Sequence, residues 1–167
     1  MSEPSLETRE IRAARLKERI YVTFVALAVV LTLRSHHVEA PEAILTLLVT
    51  VLGTLLAVFV ADLTAHVVVH ERGLTRHELN VALLSSFGAL GAVALPFLFL
   101  LLALLGVWET DGALAASFIA LLVSLILSGW VAIRHLQLTW WQRLFALLGE
   151  AVLGLAVVGL QLLAHGG

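Results

Sequence analysis

One uninterrupted apolar stretch constrains this chain more than any other feature. Residues 43–70 read AILTLLVTVLGTLLAVFVADLTAHVVVH and contain no Lys, Arg or Glu. As a helix, this stretch is about 42 Å long at about 1.5 Å per residue, whereas the hydrocarbon core of a bilayer is about 30 Å thick. The stretch is therefore long enough to cross a membrane as a single helix.

The composition of the whole chain indicates the same class of protein. Of the 167 residues, 60% are hydrophobic and 13% are charged, and the mean hydropathy is +1.03. Soluble domains have about 45–50% apolar and about 25% charged residues. We therefore predict an all-α fold, a polytopic transmembrane helix bundle. Because the chain has no cysteine, disulfides and thiolate metal sites are excluded.

Polar turns divide the apolar sequence into five predicted membrane-spanning helices. Residues 1–19, in which acids and bases alternate, are predicted to form a cytoplasmic or interfacial charged helix, and residues 20–167 form the transmembrane domain. The first span is the shortest, because a full crossing needs about 20 apolar residues and only fourteen lie between Arg19 and Arg34. The predicted spans are residues 20–34, 43–69, 79–107, 113–133 and 143–163.

The distribution of basic residues predicts the orientation of this bundle. With five spans and the N-terminus inside, nine of the ten Lys and Arg residues lie on the inner side, and only Arg34 lies outside. Cytoplasmic loops of membrane proteins carry such an excess of Lys and Arg. We therefore expect a multi-pass protein of the bacterial inner (cytoplasmic) membrane, with a cytoplasmic N-terminus and an external C-terminus.

Three ionisable residues inside the predicted spans form the candidate site. Asp62 and His66 are four residues apart, which on a helix places them one turn apart on one face. Glu150 lies in the fifth span at a similar predicted depth. A charged side chain at membrane depth is costly, so it normally faces a protein interior or a water cavity and has a partner. We expect Asp62 to face the interior, within reach of His66, Glu150 or a serine.

Two classes of function fit these residues. Carboxylates with an imidazole suit a divalent cation or a proton relay, so one hypothesis is a small transporter or channel. Asp62, His66 and Glu150 are then the ion or metal ligands, and the divalent metal is the substrate. The alternative is a non-transport scaffold, accessory or assembly subunit in which Asp62 is a packing residue.

Two other classes of function are not expected. Since the sequence contains no HExxH motif or Gly-rich phosphate loop, we expect no enzymatic activity. Since the N-terminal charges are mixed, we expect no nucleic-acid partner.

A cluster of small residues in the third span predicts close helix packing. Small residues let transmembrane helices approach each other, and a following proline loosens the helix because it removes a backbone donor. This face is predicted to meet another helix within the bundle or across a homodimer, or to dock a partner if the protein is a scaffold. A leucine in place of the glycine is expected to clash. The residues concerned are Ser85, Gly88, Ala89, Ala92 and Pro96.

Residues 80–163 resemble the vacuolar iron transporter family. The stretch SSFGALGAVALP ends in a proline within the third span, and two further spans are joined by the basic turn RHLQLTWWQ. The resemblance implies a five-span dimer that exports divalent metal in exchange for protons, using acidic residues of its first two spans. Only Asp62 matches such an acid, since the first span, IYVTFVALAVVLTL, contains none, and the loop at residues 70–80 is shorter than the family's Glu-rich helical region. The chain is also similar to small actinobacterial integral membrane proteins with a histidine near the end of the second span, a likeness that implies no function.

Overall fold

The computed structural model describes residues 6–70, 75–76, 79–80, 82–83, 88–134 and 149, and this part of the chain is all-helical. Apart from Gly149, the predicted fifth span lies outside the described residues. The described elements are α1 (Leu6–Ser35), α2 (Ala40–His70), a 3₁₀ helix (Ala89–Ala92), α3 (Ala94–Leu104) and α4 (Thr110–Arg134).

The central helix of the described bundle is α1. It packs against α2, α4 and the 3₁₀ helix, whereas α2 contacts mainly α1 and α3. The buried residues of α1 cover about half of its circumference at about 3.6 residues per turn, because the helix has neighbours on more than one side. The longest apolar helix is therefore not the centre of the fold. The buried side chains of α1 are Glu18, Val22, Thr23, Ala26, Leu27, Val30 and Leu33.

By contrast, α2 lies at the edge of the described bundle and packs through one narrow stripe. Its buried residues recur every three or four positions, as one face of a helix requires: Ala40, Ala43, Leu47, Val51 and Leu55. The opposite side exposes large apolar side chains along its length, among them Leu45, Val49, Leu56 and Val60. None of residues 56–69 of α2 is buried.

A tight turn sets α1 and α2 antiparallel. The N–H of Val38 donates to the carbonyl of Leu33, and the N–H of His37 donates to that of Arg34, both at 3.3 Å. His37 has a φ of 50°, so the helix ends in the left-handed residue of a Schellman motif. Gly106, with a φ of 73°, ends α3 in the same manner. These two turns reverse the chain within a few residues and bring sequential helices into contact.

Over the described residues, the predicted third span is not one continuous helix. Residues 89–92 form a 3₁₀ helix, Val93 leaves helical geometry with a φ of −104°, and α3 begins at Ala94. Pro96 accounts for the break, because it has no N–H to donate to the carbonyl four residues earlier. The sequence predicted a loosened helix at this proline, but the structure replaces the single span by a 3₁₀ helix and an α3 of 11 residues.

Two of the described helices are long and apolar enough to cross a membrane. They are α2 over Ala40–Val69 and α4 over Thr110–Val131, which agree with the predicted second and fourth spans. The apolar helix α3 is shorter. The number of five spans, and the orientation that follows from it, stay predictions.

Candidate functional site

Asp62 and His66 lie on the face of α2 that continues its buried stripe. Counting from Leu55 in steps of three or four residues leads to Val58, Asp62 and His66, all of which are partly buried. The two site residues belong to one unbroken helix, so they are one turn apart on one face. This face points toward α1, the neighbour against which the stripe packs.

The Asp62 carboxylate forms an ion pair with α1. Lys17 Nζ lies 3.3 Å from Asp62 Oδ1 and donates a hydrogen bond to it. Lys17 is not among the partners that the sequence suggested, which were His66, Glu150 and a serine. The Lys17 and Asp62 side chains are 56% and 39% exposed, so the pair stabilises the fold by about 0–1 kcal/mol at most. The pair matters more for the charge of the site, because the Lys17 ammonium neutralises the Asp62 carboxylate.

Of the other two members of the predicted ion site, His66 lies one helical turn from Asp62 on the same face of α2, and Glu150 lies outside the described residues. His66 is partly buried and interacts with another residue of the protein. Within the described ranges, no three His, Asp or Glu side chains come together as ligands for a metal ion. A metal site built from Asp62, His66 and Glu150 therefore stays a prediction.

A second ion pair joins α1 to α4 at the opposite end of α1. Arg34 Nε lies 3.6 Å from Asp111 Oδ1, and both side chains are largely exposed. Arg34 lies in the last turn of α1 and Asp111 in the first turn of α4. Each charge is therefore at the helix end where the macrodipole favours it. The pair fixes the relative height of two helices that pack along their length.

The two ion pairs bracket the apolar middle of α1. Arg34 lies seventeen positions after Lys17, which is about 25 Å at about 1.5 Å per residue. No Asp, Glu, Lys or Arg lies between Ile20 and Leu33. Because Asp62 pairs with Lys17, the carboxylate lies level with one end of this apolar layer and not within its middle. The sequence suggested a deeply buried charge because Asp62 lies within a predicted span. The ion pair places its carboxylate at the border of the apolar layer instead.

Glu18 is the buried charged residue that the sequence pattern did not reveal. Its side chain is 2% exposed and interacts within the protein. The alternation of acids and bases through residues 1–19 suggested a helix whose charged side chains are all solvated. The burial of Glu18 was therefore not predicted. One signal was present: Glu18, Val22 and Ala26 are four residues apart and share the buried face of α1.

The predicted packing residues of the third span divide into two groups. Ala89, Ala92 and Pro96 are buried, with the 3₁₀ helix in contact with α1. Gly88 is exposed, and a Cβ built on it meets no atom within 4 Å. Among the described residues the alanines make the close approach, so the clash expected from a leucine at Gly88, within the bundle or across a homodimer, stays a prediction. Ser85 lies outside the described residues.

Charge is segregated between the two ends of the described bundle. The end that carries the α1–α2 and α3–α4 turns, here called the acidic end, exposes Glu39, Glu42, Glu109 and Asp111. The end that carries Lys17, here called the basic end, exposes Arg15 and Arg19 beside it on α1. Chemically, the site is an ion pair and a buried carboxylate near the basic end of an apolar bundle.

The chain was also compared with known proteins. No protein-family model, curated protein or solved structure matches it. Its relation to the vacuolar iron transporter family therefore stays the prediction that the residues 80–163 suggested.

Proposed function

We propose that this protein is an integral membrane helix bundle with a non-transport role, as an accessory or scaffold subunit. The observation that carries the proposal is the Lys17–Asp62 ion pair. A cation carrier needs carboxylate oxygens that are free to replace the hydration shell of the ion. At Asp62, a divalent cation has to displace the Lys17 ammonium, which lies 3.3 Å from the same carboxylate.

The membrane part of the proposal is supported by the exposure of the two longest apolar helices. Only 22% of the apolar stretch of α2 and 33% of that of α4 is buried within the bundle. A core helix of a soluble protein is mostly buried, and soluble monomers rarely expose large contiguous apolar patches. Exposed apolar faces of this kind are stable when they contact the hydrocarbon chains of lipids. The exposed apolar residues of α4 include Ile119, Val123, Ile126 and Leu127.

The dimensions of the bundle support the same placement. The layer of about 25 Å between the ion pairs is close to a hydrocarbon core of about 30 Å, and Lys and Arg side chains can extend toward water at either border. Tyr21 is 59% exposed and lies four residues from Lys17, while Trp108 is exposed and lies close to Asp111 in the chain. Tyr and Trp are enriched at both membrane–water interfaces.

The orientation in this proposal follows from the charge of the two ends. Lys and Arg are enriched in cytoplasmic loops, so the basic end faces the cytoplasm and the acidic end faces outward. The N-terminus is then inside, in the cytoplasmic membrane of a bacterium. Because Ala89 and Ala92 pack inside the bundle, a partner helix or a second copy has to bind elsewhere, and the exposed face of α2 offers an apolar surface along most of that helix.

A second candidate function, transport of a proton or divalent cation, is favoured by Glu18. Its carboxylate is buried at the level of Lys17 and Asp62, and His66 lies one turn further along α2. Buried carboxylates and histidines within membrane bundles form proton and ion pathways. In this alternative, Glu18 carries the ion between the basic end and the interior, and the Lys17–Asp62 pair opens during the cycle.

Ion flux into proteoliposomes distinguishes the two functions. Wild-type protein, Asp62→Asn and Glu18→Gln are reconstituted and assayed with protons and a panel of divalent cations, with an ionophore added at the end to show that the vesicles are sealed. We expect flux equal to that of protein-free vesicles for all three, because Lys17 already engages Asp62 in the wild-type protein and each substitution only removes a carboxylate. Saturable flux that is lost in Asp62→Asn or Glu18→Gln, with elution volume and helicity unchanged, would contradict the non-transport role.

A further inference from the structure

The basic end of α1 carries two arginines whose charge is not neutralised by any described residue. Arg15 and Arg19 are exposed and one helical turn apart. The ion pairs of the described residues join Lys17 to Asp62 and Arg34 to Asp111, so neither Arg15 nor Arg19 is paired within that part of the chain. Two guanidinium groups are therefore presented together on one short segment.

The acids that alternate with these bases in the sequence do not offset this charge at the surface. Glu18, which lies between Lys17 and Arg19, is turned into the bundle and only 2% exposed. Asp62 of α2 is engaged by Lys17. The folding of α1 thus converts a segment of mixed charge into a surface that is cationic over residues 15–19.

The chemistry of two adjacent arginines fits a phosphate ester. A guanidinium is planar, always charged, and offers paired N–H donors that match the oxygens of a phosphate. Arg19 lies immediately before the apolar segment Ile20–Leu33, and the exposed Tyr21 follows two residues later. A ligand at this position meets a cationic surface on one side and apolar side chains on the other, which is the character of a phospholipid at its headgroup.

We propose that Arg15 and Arg19 bind the phosphate headgroup of an anionic phospholipid in the cytoplasmic leaflet. The inference rests on the membrane placement proposed above, which puts Arg19 at headgroup level. A phospholipid is favoured over free phosphate because the arginines adjoin the apolar segment. The acidic end, with Glu39, Glu42 and Glu109 exposed, repels the same headgroups, so the preference belongs to one leaflet.

The test compares lipid retention by the full chain in nanodiscs of phosphatidylcholine with or without phosphatidylglycerol. Native mass spectrometry gives the ratio of the two lipids that remain bound after the disc is removed. We expect wild-type protein to retain phosphatidylglycerol in excess of its bulk fraction, and each arginine replaced by glutamine to lower this preference about fivefold, the effect of one base near an anionic surface. The variants are Arg15→Gln, Arg19→Gln and the double substitution.

The matched control is Glu39→Gln with Glu42→Gln, which changes two charges at the acidic end and should not lower the preference, because it only weakens the repulsion of anionic headgroups there. Arg15→Lys with Arg19→Lys keeps the charge but loses the paired donors, so it should retain part of the preference.

Retention of both lipids in their bulk ratio by wild-type protein, or the same preference in the double glutamine variant, would overturn the inference. Displacement of phosphatidylglycerol by millimolar inorganic phosphate would also overturn it, in favour of a phosphate site. Failure of the protein to enter phosphatidylcholine bilayers would instead refute the membrane placement.

Discussion

Replacing Leu27 by alanine is expected to lower the free energy of unfolding by about 2–5 kcal/mol. Leu27 is fully buried on α1, the helix that contacts α2, α4 and the 3₁₀ helix. Removing three side-chain carbons loses the free energy of transferring them from water to the core. It also leaves a cavity, because the surrounding helices relax into the space only partly. Thermal or denaturant-induced unfolding of the detergent-solubilised protein, followed by circular dichroism, measures the effect.

Leu56→Ala is the matched control for this prediction. It removes the same atoms from a leucine of α2 that is 63% exposed, so no cavity forms within the bundle. We expect a change within about 0.5 kcal/mol, as for surface substitutions generally. Equal losses at Leu27 and Leu56 would contradict the central position of α1 and the peripheral position of this face of α2.

Ala89→Leu is expected to destabilise the bundle by about 1–3 kcal/mol, while Gly88→Leu at the adjacent position is nearly neutral. Ala89 is buried in the 3₁₀ helix that packs on α1, so a larger side chain forces backbone or side-chain shifts. Gly88 is exposed, and no atom of the described residues lies within 4 Å of its Cβ position. A leucine there meets no described neighbour, and it restricts the unfolded chain more than glycine does.

Unfolding midpoints and size-exclusion profiles of the two variants test this contrast. If Gly88→Leu lowers the midpoint as much as Ala89→Leu, the position of the close contact is wrong. If Gly88→Leu alone changes the oligomer profile, the glycine meets a second copy of the chain, as one of the sequence interpretations proposed.

The two longest apolar helices were the part of the fold that could be predicted best. Long runs without Lys, Arg or Glu, ended by turn residues, identify α2 and α4 because membrane crossing imposes a minimum length of apolar sequence. The same reasoning could not identify α1 as the central helix. Its apolar half is the shortest of the predicted spans. Its central position depends on the helices that pack on several of its sides, and these contacts cannot be predicted from composition. The break before α3 was indicated by Pro96, but its form was not.

The candidate site was predicted only as far as local spacing allows. The four-residue interval between Asp62 and His66 placed both on one face of α2, since helical geometry alone decides that. The partner of Asp62 could not be predicted in the same manner, because Lys17 is 45 residues away and reaches it through the α1–α2 turn. Glu18 was missed because charge alternation dominated the interpretation of residues 1–19. A helical projection continued from the apolar half of α1 would have placed it on the buried face.

The membrane placement is tested most directly by cysteine accessibility in sealed vesicles of known orientation. The natural chain contains no cysteine, so Ala13→Cys, Leu52→Cys and Glu39→Cys each introduce a single thiol, and all three positions are exposed on the described bundle. With a membrane-impermeant maleimide, we expect Ala13→Cys to react only from the cytoplasmic side and Glu39→Cys only from the outer side. Leu52→Cys, between the two ion pairs, should react from neither side until detergent is added. Reaction of all three cysteines from the same side would contradict a bundle that crosses the membrane between the Lys17–Asp62 and Arg34–Asp111 pairs.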